Sequence, residues 1–201
     1  MLDGGIDDKN VNRNFLKKIQ SQTYRIETIF TDLIDITRIE SGDLKMDFDW
    51  FNFNEVILWI KDSFENISMD RGLILSLPDS ISYEIFADKN RIQTVLSNLF
   101  TNAINYSDSG TIRLSAKSEQ DKLTIKIIDN GIGISEENQT RIFERFFRED
   151  LNRSRKTGGS GLGLAIVKHI LDAHKSNINL SSQKNVGTTF TFSLPCRSIQ
   201  N

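Results

Sequence analysis

Three short stretches rich in glycine and asparagine constrain the fold more than any other feature of this sequence. They are residues 98–102 (NLFTN), 129–133 (DNGIG) and 159–164 (GSGLGL). Glycine accepts φ > 0 without steric cost, so two glycine-rich turns indicate a backbone that closely approaches a ligand. A helix that begins at the third stretch would direct unpaired N–H groups toward phosphate. Together the stretches predict one nucleotide pocket built from distant parts of the chain, and they favour ATP handling over a generic globular domain.

Composition excludes several other classes of protein. The chain has 201 residues, enough for one core with an appendage, and its 25 basic and 27 acidic residues imply no bulk attraction to nucleic acid. The single cysteine, Cys196, rules out an intrachain disulfide and fits a reducing compartment. Because no apolar run is long enough to cross a bilayer and no signal pattern is present, we expect a soluble, cytoplasmic protein. A membrane-anchored parent protein would keep this part in the cytoplasm.

The first segment, residues 10–41, is predicted to form one long helix that ends at Gly42. Its apolar seam follows the alternating steps of four and three that are typical of a helical bundle. The seam residues are Phe15, Ile19, Gln22, Ile26, Ile29, Leu33 and Ile36, and a second stripe contains Leu16, Thr23, Phe30, Ile34 and Thr37. Two stripes require at least two neighbouring helices. Folding back onto its own domain remains an alternative, but such a regular seam favours a bundle with an intermolecular or missing partner.

The remainder of the chain predicts an α+β fold with one layer of helices and one of strands. Asn54 and Asp88 are candidate N-caps, and Pro78 with Asp79 predicts the turn of a hairpin. In chain order the predicted elements are a strand at 46–53, a helix at 54–69, strands at 73–77 and 83–86 forming that hairpin, a helix ending at 106, strands at 111–118 and 122–128, a short helix capped by Ser135, an irregular stretch at 151–159, a helix at 161–174, and strands at 178–182 and 188–194.

The asparagines of the first stretch share one face of the predicted helix. Asn98 and Asn102 are four residues apart, and Asn105 and Tyr106 continue the same face. An asparagine carbonyl is a neutral hard oxygen ligand, which suits a Mg²⁺ ion already bound to phosphates. If the two asparagines stood alone, a solvated helix face would be the favoured explanation.

The other two stretches supply an acceptor and a phosphate cradle. Asp129 ends an alternating strand, where a carboxylate can accept a hydrogen bond from an exocyclic amine and so distinguish adenine from guanine. Gly131 and Gly133 would let the base lie against the backbone, although Asp-Asn-Gly is also an ordinary turn sequence. The third stretch matches neither the P-loop nor the dinucleotide fingerprint. A flexible loop is its alternative interpretation.

Basic residues lie just before the third stretch, and they are Arg145, Arg148, Arg153, Arg155 and Lys156. On a mobile segment they would close over a triphosphate and neutralise its charge; a solvated surface loop is the alternative. We favour Arg148 because it follows the apolar residues Phe143, Phe146 and Phe147. The two histidines, His169 and His174, are assigned structural roles, with His174 suited as a cation to the end of the last helix.

Taken jointly and in order, these motifs resemble the catalytic, ATP-binding half of the sensor histidine kinases of two-component systems. Residues 98–102 resemble the N box, 129–134 the G1 box, 142–148 the F box, 159–167 the G2 box, and 187–190 the closing glycine-threonine motif. Residues 35–42 look like the end of the second helix of the dimerisation and phosphotransfer domain. The resemblance implies a two-layer α/β sandwich with a mixed sheet (the histidine kinase/Hsp90-like ATPase fold), preceded by a long bundle-forming helix. It divides the chain into a partial dimerisation domain, 1–44, and an ATP-binding catalytic domain, 45–198.

The resemblance also implies the roles of individual residues. Asn102 would bind the Mg²⁺ that bridges the phosphates of ATP, Asp129 would bind the adenine amine with support from Thr188, and Arg148 would approach the γ-phosphate. Asn102 and Arg148 are the implied catalytic pair. The implied nucleotide-binding set is Asn98, Asn102, Asn105, Tyr106, Asp129, Gly131, Gly133, Arg148, Gly159, Ser160, Gly161, Leu162, Gly163, Leu164 and Thr188.

Three departures from the family pattern qualify this expectation. Asn105 stands where a basic residue usually touches phosphate, so the loss of a cation would weaken ATP binding or slow transfer. His174-Lys175-Ser176 replaces the usual His-Gly-Gly and should alter only a turn. The sequence begins at what looks like the hairpin between the two dimerisation helices, residues 2–5, so the helix with the acceptor histidine is expected to be missing.

The predicted function is therefore donation of the ATP γ-phosphate to a histidine that is not on this chain, for onward transfer to a response regulator aspartate. The implied partners are a receiver domain and a histidine-bearing dimerisation helix, with a homodimer in the full-length form and no nucleic acid. Two alternatives stay open. One is a non-catalytic ATP-binding or dimerisation module that modulates an intact kinase, and the other is a serine kinase or ATPase of the wider superfamily.

Overall fold

The structure is a computed structural model that describes residues 9–41, 45–149 and 160–199. Its first element is the long helix α1, Lys9–Glu40, which matches the predicted helix; Gly42, the predicted stop, lies outside the described residues. Most of the described apolar side chains on α1 are exposed, with Phe30 at 63%, whereas Ile36 is 2% exposed and packs into the core. Helix α1 therefore has an apolar surface that this chain does not cover.

Seven described strands form one mixed sheet. They are β1 (Asp49–Asn52), β2 (Leu73–Ser76), β3 (Tyr83–Ala87), β4 (Gly110–Glu119), β5 (Lys122–Asp129), β6 (Asn179–Gln183) and β7 (Gly187–Ser198). Their order is β1-β3-β7-β5-β4-β2, and β6 pairs with β7. Strands β2 and β4 are parallel, and the other pairs are antiparallel. The predicted mixed sheet is confirmed.

Three further described helices cover one face of this sheet: α2 (Phe53–Asp70), α3 (Lys89–Tyr106) and α4 (Gly163–Ala173). Alternate side chains of the central strands point toward them, and the apolar stripes of the helices complete the core. The core includes Leu96, Leu99, Ile112, Leu114, Leu123, Ile125, Ile127, Ile166, Ile170, Phe190, Phe192 and Leu194. The predicted two-layer α/β sandwich is therefore confirmed.

The predicted hairpin of residues 73–77 and 83–86 is wrong. Strand β2 pairs with β4 at one edge of the sheet, whereas β3 pairs with β1 and β7 near the other edge. The connection between them is held to helix α2, because the Asn54 amide donates to the carbonyl of Ile81 and accepts from its N–H, both at 2.8 Å. The turn residues bend the chain locally, but this anchor keeps the two strands apart.

The start of α2 differs from the prediction for a related reason. Asn52, not Asn54, is the N-cap, since its side-chain oxygen accepts from the Asn54 N–H at 2.9 Å. Strand β1 is correspondingly shorter than the predicted 46–53. Phe53 is fully buried as the first residue of the helix. The apolar pattern of the strand extends to Phe53, the first residue of the helix, so the sequence did not show where the strand ends.

Other boundaries lie close to their predicted places. Asp88 caps α3 by accepting from the Arg91 N–H at 3.0 Å, as predicted. Ser135 precedes a 3₁₀ turn, Glu136–Asn138, but makes no capping bond; its hydroxyl accepts from the Asn138 amide instead. Strand β7 runs beyond the predicted residue 194, and the irregular stretch predicted at 151–159 lies outside the described residues. No described helix is both long and apolar enough to span a membrane.

Candidate functional site

The carboxylate of Asp129 occupies the end of β5, opposite Thr188 of β7. Its Oδ1 accepts two backbone hydrogen bonds, from the Gly131 N–H at 2.8 Å and from the Thr188 N–H at 3.2 Å. Asp129 is only 8% exposed. Burial raises the pKa of this carboxyl, while the two hydrogen bonds act in the opposite direction. Asp129 is thus a fixed, largely desolvated acceptor at the end of the central strand β5.

The strand opposite Asp129 is held by a chain of hydroxyl groups. The Thr188 and Ser182 hydroxyls are 3.0 Å apart, and Ser182 also donates to the Gly187 carbonyl and accepts from the Ile134 N–H, both at 2.9 Å. Thr188 therefore contacts Asp129 through its backbone, and its side chain secures β6. Ser182 ties together β6, β7 and the segment after the 129–133 turn.

The turn after Asp129 lies against the end of α3. The Ile132 N–H donates to the Tyr106 carbonyl at 3.0 Å. A Cβ at Gly131 would overlap that carbonyl and would stand 2.9 Å from both Asp129 Oδ1 and the Ser107 hydroxyl. Gly133 has φ +63°, and a Cβ there would overlap the Gln183 carbonyl. Both positions therefore require glycine because protein carbonyls approach them closely, and their predicted contact with the base stays a prediction.

The hydroxyl of Ser107 lies beside this turn and is fully buried. Among the described residues, its hydroxyl is one of two buried side-chain polar groups without a hydrogen-bond partner. Such a group costs about 1–3 kcal/mol unless something satisfies it. It stands beside Gly131 and near Asp129, so a donor-bearing and acceptor-bearing ring such as adenine, or a water bound with it, would fit the polar groups present.

The asparagine face of α3 continues the site toward α4. Asn98 and Asn102 are half-buried, and the Asn98 amide donates to the Thr94 carbonyl at 3.0 Å. A Cβ on Gly163, the first residue of α4, would overlap Asn98 Oδ1. A side chain at Gly163 would therefore displace the Asn98 amide from the position that it has here. This contact joins the first and third predicted stretches.

Helix α4 begins without a side-chain cap. Its N-cap residue, Leu162, is fully buried, and Leu164 packs against the core, so the helix start is fixed in place. The Ser160 hydroxyl accepts from the Leu162 N–H at 3.2 Å and donates to Asp32 of α1 at 2.9 Å. The first N–H groups of α4 are thus available to an anion. Gly159 lies outside the described residues.

The segment 141–148 packs beside this helix start. The Phe146 N–H donates to the Gly161 carbonyl at 2.9 Å, and Gly161 has φ +76°, which explains why α4 begins at Gly163 rather than at the predicted residue 161. Phe143 contacts Phe190 edge-on, with ring centroids 6.4 Å apart. Arg148 at the end of this segment is half-buried whereas Arg145 is exposed. Arg153, Arg155 and Lys156 lie outside the described residues.

The geometry now has a counterpart among known proteins. Residues 87–198 match the sequence profile of the histidine kinase-, DNA gyrase B-, and HSP90-like ATPases. The chain belongs to this ATPase family. The sensor-like histidine kinase SenX3 of Mycolicibacterium smegmatis is 36% identical over 191 residues, which cover 94% of this chain and 50% of SenX3. The sensor histidine kinase WalK of Bacillus subtilis is 34% identical over 204 residues, which cover 100% of this chain and 33% of WalK.

Solved structures of the same ATPase family share the fold. The histidine kinase AdeS of Acinetobacter baumannii superposes with a TM-score of 0.71 at 27% identity, covering 96% of this chain and 86% of that one. The histidine kinase ThkA, in a complex with the response regulator protein TrrA, gives 0.74 at 25% identity and covers 96% and 53%. The predicted resemblance to sensor histidine kinases is confirmed. The chain spans only a third to half of the two curated relatives named above.

At Asn105 we expected a missing cation, but the structure places the Arg71 guanidinium there. The Asn105 side-chain oxygen accepts a hydrogen bond from Arg71 Nη1 at 3.0 Å, and the same nitrogen donates to the Ile104 carbonyl at 3.2 Å. A guanidinium from the end of α2 therefore stands at this point of the ATPase fold.

His174 has the predicted structural role but not the predicted charge. Its Nε2 accepts from the Asp88 N–H at 3.0 Å, and its Nδ1 lies 2.7 Å from the Ile170 carbonyl, to which it donates. Burial lowers the pKa of this imidazole, opposed by the Ile170 hydrogen bond and by the charge of Asp88. The neutral side chain therefore links α4 to the start of α3 by hydrogen bonds. An imidazolium is excluded because Nε2 accepts a hydrogen bond and so carries no proton.

Metal ligands of the usual kind are not clustered in the described part of the chain, where no group of three or more His, Cys, Asp or Glu residues could hold an ion. Any Mg²⁺ would therefore depend on a neutral oxygen such as that of Asn102 and on the ligand's own phosphates. Sequence reasoning missed Ser107, Ser182 and Arg71. Ser107 directly follows the predicted Tyr106, and that adjacency was the one available clue.

Proposed function

We propose that this chain is the ATP-binding catalytic part of a two-component sensor histidine kinase. In this proposal it donates the γ-phosphate of ATP to a histidine outside this sequence, for onward transfer to an aspartate of a response regulator. The observation that carries the proposal is the buried Asp129 acceptor beside Gly131 and the unsatisfied Ser107 hydroxyl, on a chain whose relatives are sensor histidine kinases.

The proposed roles follow the geometry from the base to the phosphates. Asp129 accepts from the adenine amine, Gly131 and Gly133 admit the base, and Tyr106 lines its pocket. Asn102, with Asn98 beside it, supplies neutral oxygen to Mg²⁺. Near the start of α4, Gly161 and Gly163 offer N–H groups to the phosphates, whereas the Leu162 N–H already donates to the Ser160 hydroxyl. Leu162 lies between them, with Gly159, Ser160 and Leu164 flanking the same segment. Arg148 approaches the γ-phosphate.

The chain's own contribution to the reaction is position and charge. Bound Mg-ATP supplies the phosphoryl group together with a metal that neutralises its charge. The Gly131 and Thr188 N–H groups orient the Asp129 carboxylate before the ligand arrives, and this carboxylate then fixes the base. The α4 N-terminus and Arg148 stabilise negative charge on the transferred group, and this electrostatic stabilisation is the main catalytic contribution open to the protein.

Neither histidine of this sequence suits the role of acceptor. Both ring nitrogens of His174 are engaged in buried hydrogen bonds, and His169 lies on α4 behind its phosphate-facing end. We therefore propose a histidine on a dimerisation helix of the same longer protein or of another kinase. The complex of ThkA with a response regulator supports a receiver domain as the partner of this chain.

We propose a division into 1–44 and 45–198, in which the end of α1 packs on the second part through Ile36. Strand β1 and helix α2 precede the family match, yet Phe53, Val56 and Ile60 belong to the same buried cluster as the matched residues. The exposed stripe on α1 fits a dimerisation helix, so we propose a homodimer for the full-length protein. We place this part of that protein in the cytoplasm, where ATP and response regulators are found.

The test is phosphate transfer from γ-labelled ATP. The chain is incubated alone and with a separately produced, histidine-bearing helix hairpin from a sensor kinase. We expect an acid-labile, base-stable label on the hairpin histidine, no label on the chain alone, and no transfer by Asn102→Ala. Histidine label on the chain alone would contradict the proposal. Binding of ATP and hairpin without transfer would favour a non-catalytic module, and an acid-stable phosphoserine on a partner would favour the wider superfamily.

A further inference from the structure

The side chain of Arg71 reaches from the end of α2 to the last turn of α3. Its Nη1 donates to Asn105 Oδ1 at 3.0 Å and to the Ile104 carbonyl at 3.2 Å. Within the described residues the guanidinium makes no other hydrogen bond, so Nε and Nη2 keep their donors for other partners. The side chain is exposed, and its charge persists at any physiological pH. Arg71 thus presents a positioned cation with unused donors.

The place of this cation follows from the periodicity of α3. Asn105 is three residues beyond Asn102 and seven beyond Asn98, so the three amides share one face. Residues three apart on a helix are neighbours on its surface, so Asn105, which holds the guanidinium, adjoins Asn102. The last turn of α3 contains no basic residue of its own. Arg71 is therefore the cation that the structure brings to this end of the asparagine face.

We infer that Arg71 is a further nucleotide-binding residue, which supplies positive charge from α2 to the phosphates bound along the asparagine face. Asn105 is its positioning residue, since its side-chain oxygen fixes the guanidinium beside the site. The inference rests on the proposed function. The ligand class that it concerns is the polyphosphate chain of an adenine nucleotide, because the unused Nε and Nη2 donors of a guanidinium suit phosphate oxygens.

A purely structural role is the competing explanation. Arginine at a helix C-terminus satisfies a carbonyl and interacts favourably with the helix dipole, so Arg71 would stabilise α3 without touching a ligand. The two explanations differ in one measurable respect. A phosphate contact depends on the charge of the ligand and on ionic strength, whereas a cap affects all ligands equally.

The experiment compares Arg71→Gln with the wild type by calorimetric titration of Mg-ATP, Mg-ADP and adenosine, at low and high salt. We expect ATP affinity to fall roughly 5- to 10-fold, as for one partly exposed charge-assisted hydrogen bond, and adenosine affinity to stay within about 2-fold. The loss for ATP should shrink at high salt. Arg71→Lys should retain most of the affinity, and Arg71→Gln with Asn105→Lys should restore it by placing a cation on α3 itself.

Arg113→Gln is the matched control. Arg113 is exposed on β4, and because its neighbours Ile112 and Leu114 are buried, it points away from the helices. Its removal should leave ATP affinity unchanged. Wild-type ATP affinity in Arg71→Gln, or equal losses for ATP and adenosine with a lowered melting temperature, would overturn the inference while leaving the proposed function intact. A wild-type chain that binds no ATP would overturn both.

Discussion

At the scale of single residues, Gly163 shows how a missing side chain shapes the candidate site. Gly163 is the first residue of α4 and does not have a positive φ, so the helix backbone itself does not require glycine there. Its reason lies across the interface, where a Cβ would overlap the Asn98 oxygen. The glycine is therefore explained by the neighbouring helix α3, whose asparagine face lies against the N-terminus of α4.

Gly163→Ala should therefore weaken nucleotide binding more than it weakens the fold. The displaced Asn98 amide should reduce Mg-ATP affinity about 10-fold, while the unfolding free energy changes by less than about 1 kcal/mol because alanine favours the helix. Combining Gly163→Ala with Asn98→Ala should show strong coupling, since the second change removes the overlap. Calorimetry and denaturant unfolding of the four proteins measure both quantities. Additive losses would contradict this account of the contact.

His174 makes a second prediction at this scale, for the dependence of stability on pH. Its pKa is lowered in the folded protein, so the unfolded chain takes up a proton at a higher pH than the folded one. The unfolding free energy should fall as pH drops below the ordinary histidine value of about 6.5. His174→Gln can still accept from the Asp88 N–H but does not titrate, so its stability should vary less between pH 7.5 and 5.5. Urea unfolding across this range measures the effect; equal slopes for both proteins would contradict it.

Sequence patterns singled out residues whose surroundings are visible locally and missed those that matter only through distant neighbours. Asp129, Gly131 and Gly133 were identified because a strand end followed by glycines is a local pattern. Ser107 and Arg71 carry no such pattern. A hydroxyl becomes notable only once its lack of a partner is known, and Arg71 only once α2 is seen to end beside α3.

At the scale of elements, helix α1 is the part whose surface is least explained by the chain itself. Phe15, Ile19, Ile26 and Phe30 are exposed, and of the α1 side chains that the structure describes only Ile36 belongs to the buried core. Ser160 of the α4 start also bonds to Asp32. The end of α1 thus packs on the catalytic layers, and the rest presents an apolar stripe that fits another copy of the helix.

We expect the chain to self-associate through this stripe. Phe15→Glu with Ile26→Glu should shift the protein toward the monomer in sedimentation velocity, without lowering its melting temperature, because both side chains are exposed. Ile36→Glu is the contrasting control and should cost several kcal/mol of stability, since it places a charge in the core. Unchanged sedimentation of the double variant would rule out the stripe as the association surface.

Helices and strands differed in how well their sequences predicted them. Helix α3 was predicted at both ends because a capping aspartate and an amphipathic stripe are local properties. The pairing of β2 and β3 was wrong because the Pro78 and Asp79 turn indicates only that the chain bends. The choice of neighbour depends on contacts such as Asn54 with Ile81, which no local pattern records.

At the scale of the whole molecule, the sheet order is what assembles the site. Strand β7 pairs with β3, β5 and β6, so it places Thr188 opposite Asp129. Helices α3 and α4 then cross the same face and bring Asn98 to Gly163. The order of the motifs identified this architecture through family resemblance. The residues alone predicted two layers but not the strand order, since nothing local specifies which strands become neighbours.

We propose that residues 98–102, 129–133 and 159–164 form one ATP pocket, in which the Asp129 carboxylate accepts a hydrogen bond from the adenine amine. Asp129→Asn keeps an Oδ1 acceptor for the Gly131 and Thr188 N–H groups and removes a buried charge whose pKa is raised by burial. The variant should therefore lose no folding stability at neutral pH. Its neutral side chain should bind the adenine amine more weakly, because a hydrogen bond to a charged acceptor contributes about 1.5–3 kcal/mol to the binding free energy, or at least about 10-fold in affinity.

Calorimetric titration of Mg-ATP and Mg-GTP into the wild type and Asp129→Asn, with unfolding measured on the same samples, tests this claim most directly. We expect the wild type to bind ATP in preference to GTP, and the variant to lose at least about 10-fold in ATP affinity while remaining as stable as the wild type. An Asp129→Asn protein that binds ATP as tightly as the wild type would contradict the account.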